Sequence, residues 1–179
     1  MNDCENCLYK YSCELREIKE PEDKCDDFSS FQSNVKRDEN YENAFFLYIP
    51  IHEQTLAVGI GQYNATMDGR YFSIIADAYT KRKDRVKNMD GIVATGTHPT
   101  LTLTALAKAF KELEYYVLKR YNKYEDVTIA VTWSDNKRRD IYYRYLKRFG
   151  YSYCYDKNKY IGKKYRKGEF KYDDDGKSN

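Results

Sequence analysis

The chain has 179 residues and a net charge of +3, enough for one domain with a real core. It has no apolar run near the roughly 20 residues that span a bilayer. Its first residues are acidic and cysteine-bearing, which excludes a secretory signal with a basic start and an apolar centre. A cytoplasmic protein that stays off membranes is expected.

Four of the five cysteines, Cys4, Cys7, Cys13 and Cys25, fall in the stretch CENCLYKYSCELREIKEPEDKC. Residues 1–28 are too polar to fold by burying apolar surface, so another source of order is needed. Four thiolates on one metal ion supply it, because metal binding energy becomes folding energy in a small module. The leading C-x2-C suits a structural zinc site, and a [4Fe–4S] cluster also takes four cysteines. Four thiolates leave no open coordination position, so the expected role is structural. Paired disulfides suit an exported mini-protein, and nothing here signals export.

Residues 29–43 are polar and read as a linker with one short helix. Three strands are expected next, over Ala44 to Ile49, Thr55 to Ile60 and Tyr71 to Tyr79. Their connections are a polar turn after Pro50 and a turn at Asp68-Gly69, short enough to imply an antiparallel meander. His52 belongs to the first turn and is expected to be exposed. Lys81 to Asp90 reads as a charged loop, and Gly91 to Thr95 as one more short strand.

The clearest helix follows. Leu103, Leu106, Phe110, Leu113, Val117 and Tyr121 recur at three- and four-residue steps and make one apolar stripe. Thr97, Pro99, Thr100 and Thr102 offer capping and first-turn chemistry at its start, where His98 also stands. Val127 to Trp133 alternates as a strand. Ser134 or Asp135 can cap a second helix with Ile141, Tyr145 and Phe149 as its stripe, ended by Gly150 in the left-handed conformation. Tyr151 to Tyr155 and Lys159 to Tyr165 form a closing hairpin, with Cys154 a small core residue. Residues 167–179 read as a disordered polar tail.

Between Lys137 and Lys171 there are 13 Lys/Arg against 3 Asp/Glu. The same chain carries 20 tyrosines, many beside Lys or Arg. Such a segment is either a solvated helix face or a positive surface that attracts phosphates, nucleic acid or an acidic protein.

Meander, helix, strand, helix and hairpin, in that order, resemble the GNAT acetyltransferases, with the likeness running over residues 44–166. The stretch VTIAVTWSDNKRRDIYYRYLKRFGYSYCYDKNKYIGKKY carries most of it, and Gly150-Tyr151 is similar to the family's Gly-Phe pair. The resemblance implies an α/β (α+β) fold, a mixed and mostly antiparallel sheet flanked by helices. It also implies transfer of an acetyl group from acetyl-CoA to an amine. The cofactor pyrophosphate would meet the first helix at Thr97, Thr100, Leu101, Thr102 and Thr104, where threonines stand in place of the family's glycines. Asn136 would also bind the cofactor. The family's catalytic tyrosine lies four residues before the glycine, where this chain has Leu146; Tyr142, one turn earlier on about the same face, takes that role. The acids in view as a base are Asp77 and Glu53.

No Walker loop, GxSxG elbow or HExxH motif is present, which excludes nucleotide hydrolase and serine hydrolase readings. The competing expectation is a non-catalytic GNAT-like protein. Its basic face, with Lys137, Arg138, Arg139, Arg144, Lys147, Arg148, Lys163, Lys164, Arg166 and Lys167, would hold nucleic acid or an acidic protein.

Overall fold

The apolar runs become strands in the computed structural model, which describes residues 30–38, 43–67, 69–79, 99–132, 136–154 and 160–171. The strands are β1 (Lys36–Arg37), β2 (Ala44–Ile51), β3 (Gln54–Thr66), β4 (Gly69–Tyr79), β5 (Val127–Val131), β6 (Ser152–Cys154) and β7 (Tyr160–Tyr165). Two helices join them, α1 (Pro99–Tyr121) and α2 (Asn136–Leu146), the latter running into a 3-10 turn at Lys147–Phe149. The strands form one seven-stranded sheet in the order β1-β2-β3-β4-β5-β7-β6. It is mixed and mostly antiparallel: β4 and β5 run parallel, while β5–β7 and β6–β7 are antiparallel. The α+β class expected from the sequence is the one observed.

The described residues belong to two compact units. The first draws on Met1–Arg37, Phe45–Val58 and Ala76–Glu112. In it the polar stretch read as linker gives the sheet an edge strand, with Lys36 and Arg37 paired to Phe46 and Phe45. The chain enters this strand through a 3-10 turn held by Ser30, whose hydroxyl accepts the Ser33 N–H at 3.1 Å. On β2 the alternation is strict: Phe45, Leu47, Ile49 and Ile51 are buried, and Phe46, Tyr48 and Pro50 half-buried. His52 turns the chain with a positive φ of 50° and is exposed, as expected. Pro99 opens α1, where its missing N–H costs nothing and its ring pre-sets the helical φ.

The helix stripe differs from its sequence reading. In this unit α1 buries Thr102, Ala105, Ala109 and Phe110, whereas Leu103 is exposed and Leu106 only half-buried. Hydrophobicity alone points at the leucines. Small residues instead face inward because they let the helix axis approach its neighbours closely, and close packing outweighs the transfer energy of one leucine.

The second unit draws on Asp38–Ala44, Gly59–Ile75 and Leu113–Asn179. Register places Phe72 opposite Ile129 and Ile74 opposite Val131, with Val131 opposite Ile161 and Val127 opposite Tyr165. These side chains share one face of the sheet. The rings of Tyr121 on α1 and Phe72 lie 5.3 Å apart, and Tyr143 on α2 stacks on Tyr153 of β6 at 4.3 Å. Both helices therefore serve the same face.

On α2 the expected Ile141 is 49 % exposed, and the buried residue is Leu146 at 4 %. Gly150 ends this segment at φ 81°, as its sequence position predicts, and donates its N–H to the Lys147 carbonyl. The described residues that follow β7 are bonded to the fold. The buried Asn122 side chain donates to the carbonyls of Tyr165 and Arg166 and accepts the Phe170 N–H at 3.0 Å, and its own carbonyl accepts the Gly168 N–H at 2.7 Å. Residues 166–170, assigned in sequence mostly to a loose tail, thus form a strap bonded to the α1–β5 turn.

Gly69 starts β4 at φ 137°, and a Cβ there would lie 2.5 Å from the Asp126 carbonyl oxygen, the acceptor of the Arg70 N–H. Gly69→Ala should therefore lower unfolding stability by about 2–3 kcal/mol, read as a shifted urea midpoint at unchanged slope. A midpoint equal to that of the parent would show that this turn relaxes without cost.

Candidate functional site

A helix leaves its first N–H groups without internal acceptors, and the aligned peptide dipoles make that end positive. In α1 those donors are the N–H groups of Thr100 and Leu101, since Pro99 has none. The threonine side chains around them have separate commitments. Thr102 is 4 % exposed, and its hydroxyl accepts the side-chain amide N–H of the buried Gln54 at 2.9 Å. Thr104 is exposed and donates its hydroxyl to the Thr100 carbonyl at 2.9 Å. Thr100 is exposed and Leu101 half-buried. At this helix end the Thr102 and Thr104 hydroxyls are committed within the fold, and the backbone N–H groups of Thr100 and Leu101 have no acceptor inside α1.

Asp77 lies in β4 and Asn136 opens α2. Glu53 is exposed in the turn beside His52. Tyr142 sits half-buried on α2, one turn before Leu146. The burial of Leu146 makes the position four residues before Gly150 a core position. Cys4, Cys7, Cys13 and Cys25, together with Thr97, His98, the Lys81 to Asp90 loop and the Gly91 to Thr95 strand, lie outside the described residues. Among the described residues no group of three or more His, Cys, Asp or Glu side chains could hold a metal ion.

The second unit holds a polar cluster that the sequence reading passed over. Glu114 of α1 accepts hydrogen bonds from the hydroxyls of both Tyr151 and Tyr165 through a single carboxylate oxygen. Burial first, and then the Glu114 charge, push both phenols well above their usual range. They stay protonated at neutral pH and act as donors. Phenols held this way are poor proton donors to a reacting group, so the cluster clamps α1 to the chain after Gly150 and to β7. Its signal was present in the sequence: Glu114 lies four residues after Phe110 and four before Leu118, inside the apolar stripe.

A second network begins at Arg70, which bonds to Glu125 and to the Gln62 side-chain oxygen at 2.8 Å and lies 4.8 Å over the Tyr121 ring. Asn43 donates to the same Gln62 oxygen and accepts the Tyr121 hydroxyl at 2.6 Å. The bonds of this network are half-buried, and each residue named in it has a partner within it. Among the described residues no helix is long and apolar enough to cross a membrane. No protein-family model, no curated protein and no solved structure matches the chain.

Folding raises the Tyr151 and Tyr165 pKa values above the ordinary value near 10. The stabilisation they bring is complete below pH ~10 and is lost as pH rises through the raised values, because the unfolded chain ionises first. Denaturant melts should show stability falling above pH ~10. The fall should be clearly shallower in the Tyr151→Phe/Tyr165→Phe variant. Equal alkaline slopes for the two proteins would overturn the assignment.

Proposed function

We propose that the chain is a GNAT-type acyltransferase that moves an acetyl group from acetyl-CoA to an amine on a small molecule or protein. The observation that carries this reading is the parallel β4–β5 pair joined through α1, followed by α2 and the antiparallel β6 and β7. Parallel neighbours need a crossover, and in open sheets of this kind ligands lie beyond the carboxyl ends of the parallel strands. The start of α1 follows β4 in the chain and offers N–H donors and a positive dipole end to a phosphate. The fit is to backbone donors, because the hydroxyls of Thr102 and Thr104 are engaged elsewhere.

In this reading acetyl-CoA supplies the acyl group as an activated thioester. The N–H groups of Thr100 and Leu101 hold its pyrophosphate, with Thr97 and Asn136 as further contacts. Asp77 takes the proton that the amine loses, and the Tyr142 hydroxyl holds the proton destined for the departing sulfur. The four cysteines bind one zinc ion that orders residues 1–28 and takes no part in the chemistry, with an iron–sulfur cluster as the other possible occupant.

Calorimetric titration with acetyl-CoA tests the cofactor assignment. Thr100→Glu adds a carboxylate at an exposed helix start, which favours the helix and repels a phosphate. It should leave thermal stability intact and weaken acetyl-CoA binding about tenfold or more. Tyr142→Phe should keep the binding and cut acetyl transfer to an accepted amine about a hundredfold. Absence of saturable acetyl-CoA binding by folded protein would refute the reading.

Metal analysis of the purified chain checks the arm on its own. About one zinc per chain is expected, lost in a Cys4→Ser/Cys7→Ser variant. A metal-free chain, or one carrying iron and sulfide, would overturn the zinc assignment.

A further inference from the structure

Two basic segments far apart in sequence meet at Asn122. The end of α1 and the turn after it carry Lys119, Arg120 and Lys123, and the strap after β7 carries Arg166, Lys167 and Lys171, all exposed. They are brought together by the Asn122 bonds to the Arg166 carbonyl and to the Gly168 and Phe170 N–H groups. The Phe170 ring, beside Lys171, also meets Tyr115 edge-on at 5.8 Å, and Lys119 lies 5.8 Å over that Tyr115 ring. The negative end of the α1 dipole accounts for Lys119 and Arg120.

The carboxylates on these segments are already engaged. Glu125 pairs with Arg70, and Asp126 pairs with Lys164 at 2.9 Å and accepts the Lys167 N–H at 2.7 Å. Glu169 accepts the Arg166 N–H at 2.7 Å. The bond from Lys164, then that from Lys167, hold the Asp126 carboxyl below its usual range, so it stays ionised and committed. Amid these cations Tyr124 is 68 % exposed, with the Lys123 ammonium 5.8 Å from its ring centroid.

We infer that this surface binds single-stranded nucleic acid, with Lys119, Lys123, Arg166, Lys167 and Lys171 on phosphates and Tyr124 stacked on a base. An acidic peptide would use the charges and leave the exposed ring without a role. A nucleic acid uses both, because every base presents a π-face to an aromatic ring beside its own phosphate. The surface lies on α1's carboxyl end and the strap, so it does not rest on the acyltransferase reading.

Fluorescence anisotropy of a labelled single-stranded oligouridine with the full chain tests this. Binding should be saturable at 50 mM salt and fall about a hundredfold by 200 mM, as expected for about five phosphate contacts. Lys119→Ala/Lys123→Ala/Lys167→Ala/Lys171→Ala should remove most of the affinity, and Tyr124→Ala should weaken it about tenfold. Arg144→Ala/Lys147→Ala/Arg148→Ala, on the α2 side, should change it less than about threefold. Acetyl-CoA binding should be unchanged in the four-lysine variant, which separates this inference from the acyltransferase reading. The inference falls if the oligonucleotide does not bind at 50 mM salt. It also falls if polyglutamate displaces the oligonucleotide as well as unlabelled oligouridine does, or if the α2 variant loses as much affinity as the four-lysine variant.

Discussion

Parallel pairing of β4 with β5 is the constraint on which the arrangement depends. A two-residue turn can join antiparallel neighbours, as between β2 and β3, but it cannot bring the chain back to start a parallel partner. The chain must leave the sheet after β4 and return through a crossover, and α1 is the described part of that path. The place of α1 in the chain follows from this. With β4 on one side of β5, the other side is left for β7, which takes it antiparallel and carries β6 with it.

In the second unit this plan is held by polar groups that each serve several segments. Asn122 is fully buried, and its amide bonds to backbone groups at the end of β7 and in the strap. An unsatisfied buried polar group costs about 1–3 kcal/mol, so such a side chain is worth more than its size suggests. Glu114 works similarly, one carboxylate oxygen holding two phenols from different parts of the chain. Arg70, Gln62, Asn43 and Tyr121 link β3, β4 and α1 by an unbroken run of donors and acceptors. The apolar residues set the layers, and these networks choose one register among them.

Much of this was legible in the residues. The strand at β2, the alternation of β5, the left-handed Gly150 and the exposed His52 are all local matters, decided within a few positions of chain. The helix stripes were less legible. Leu103 and Ile141 are exposed, and Ala105, Ala109 and Leu146 are buried instead. A periodicity argument ranks residues by apolar character, whereas the tertiary fit ranks them by how closely backbones must approach. The edge strand Lys36–Arg37 was invisible for another reason: two charged residues become a strand only because β2 offers them backbone partners.

The candidate site divides along the same line. Sequence alone determined the order of the described elements from Ala44 to Tyr165, because helix ends and strand alternation are encoded within short stretches of chain. It also showed the four-cysteine spacing, since metal-ligand chemistry is written in residue type and interval. Only the tertiary structure decided that Thr102 spends its hydroxyl on Gln54 and that Leu146 is core. It alone closed Glu114 onto two phenols and bonded the strap to Asn122 beside the end of α1. Each of these joins residues dozens of positions apart, and no local pattern specifies a partner that only the folded chain brings within hydrogen-bond reach.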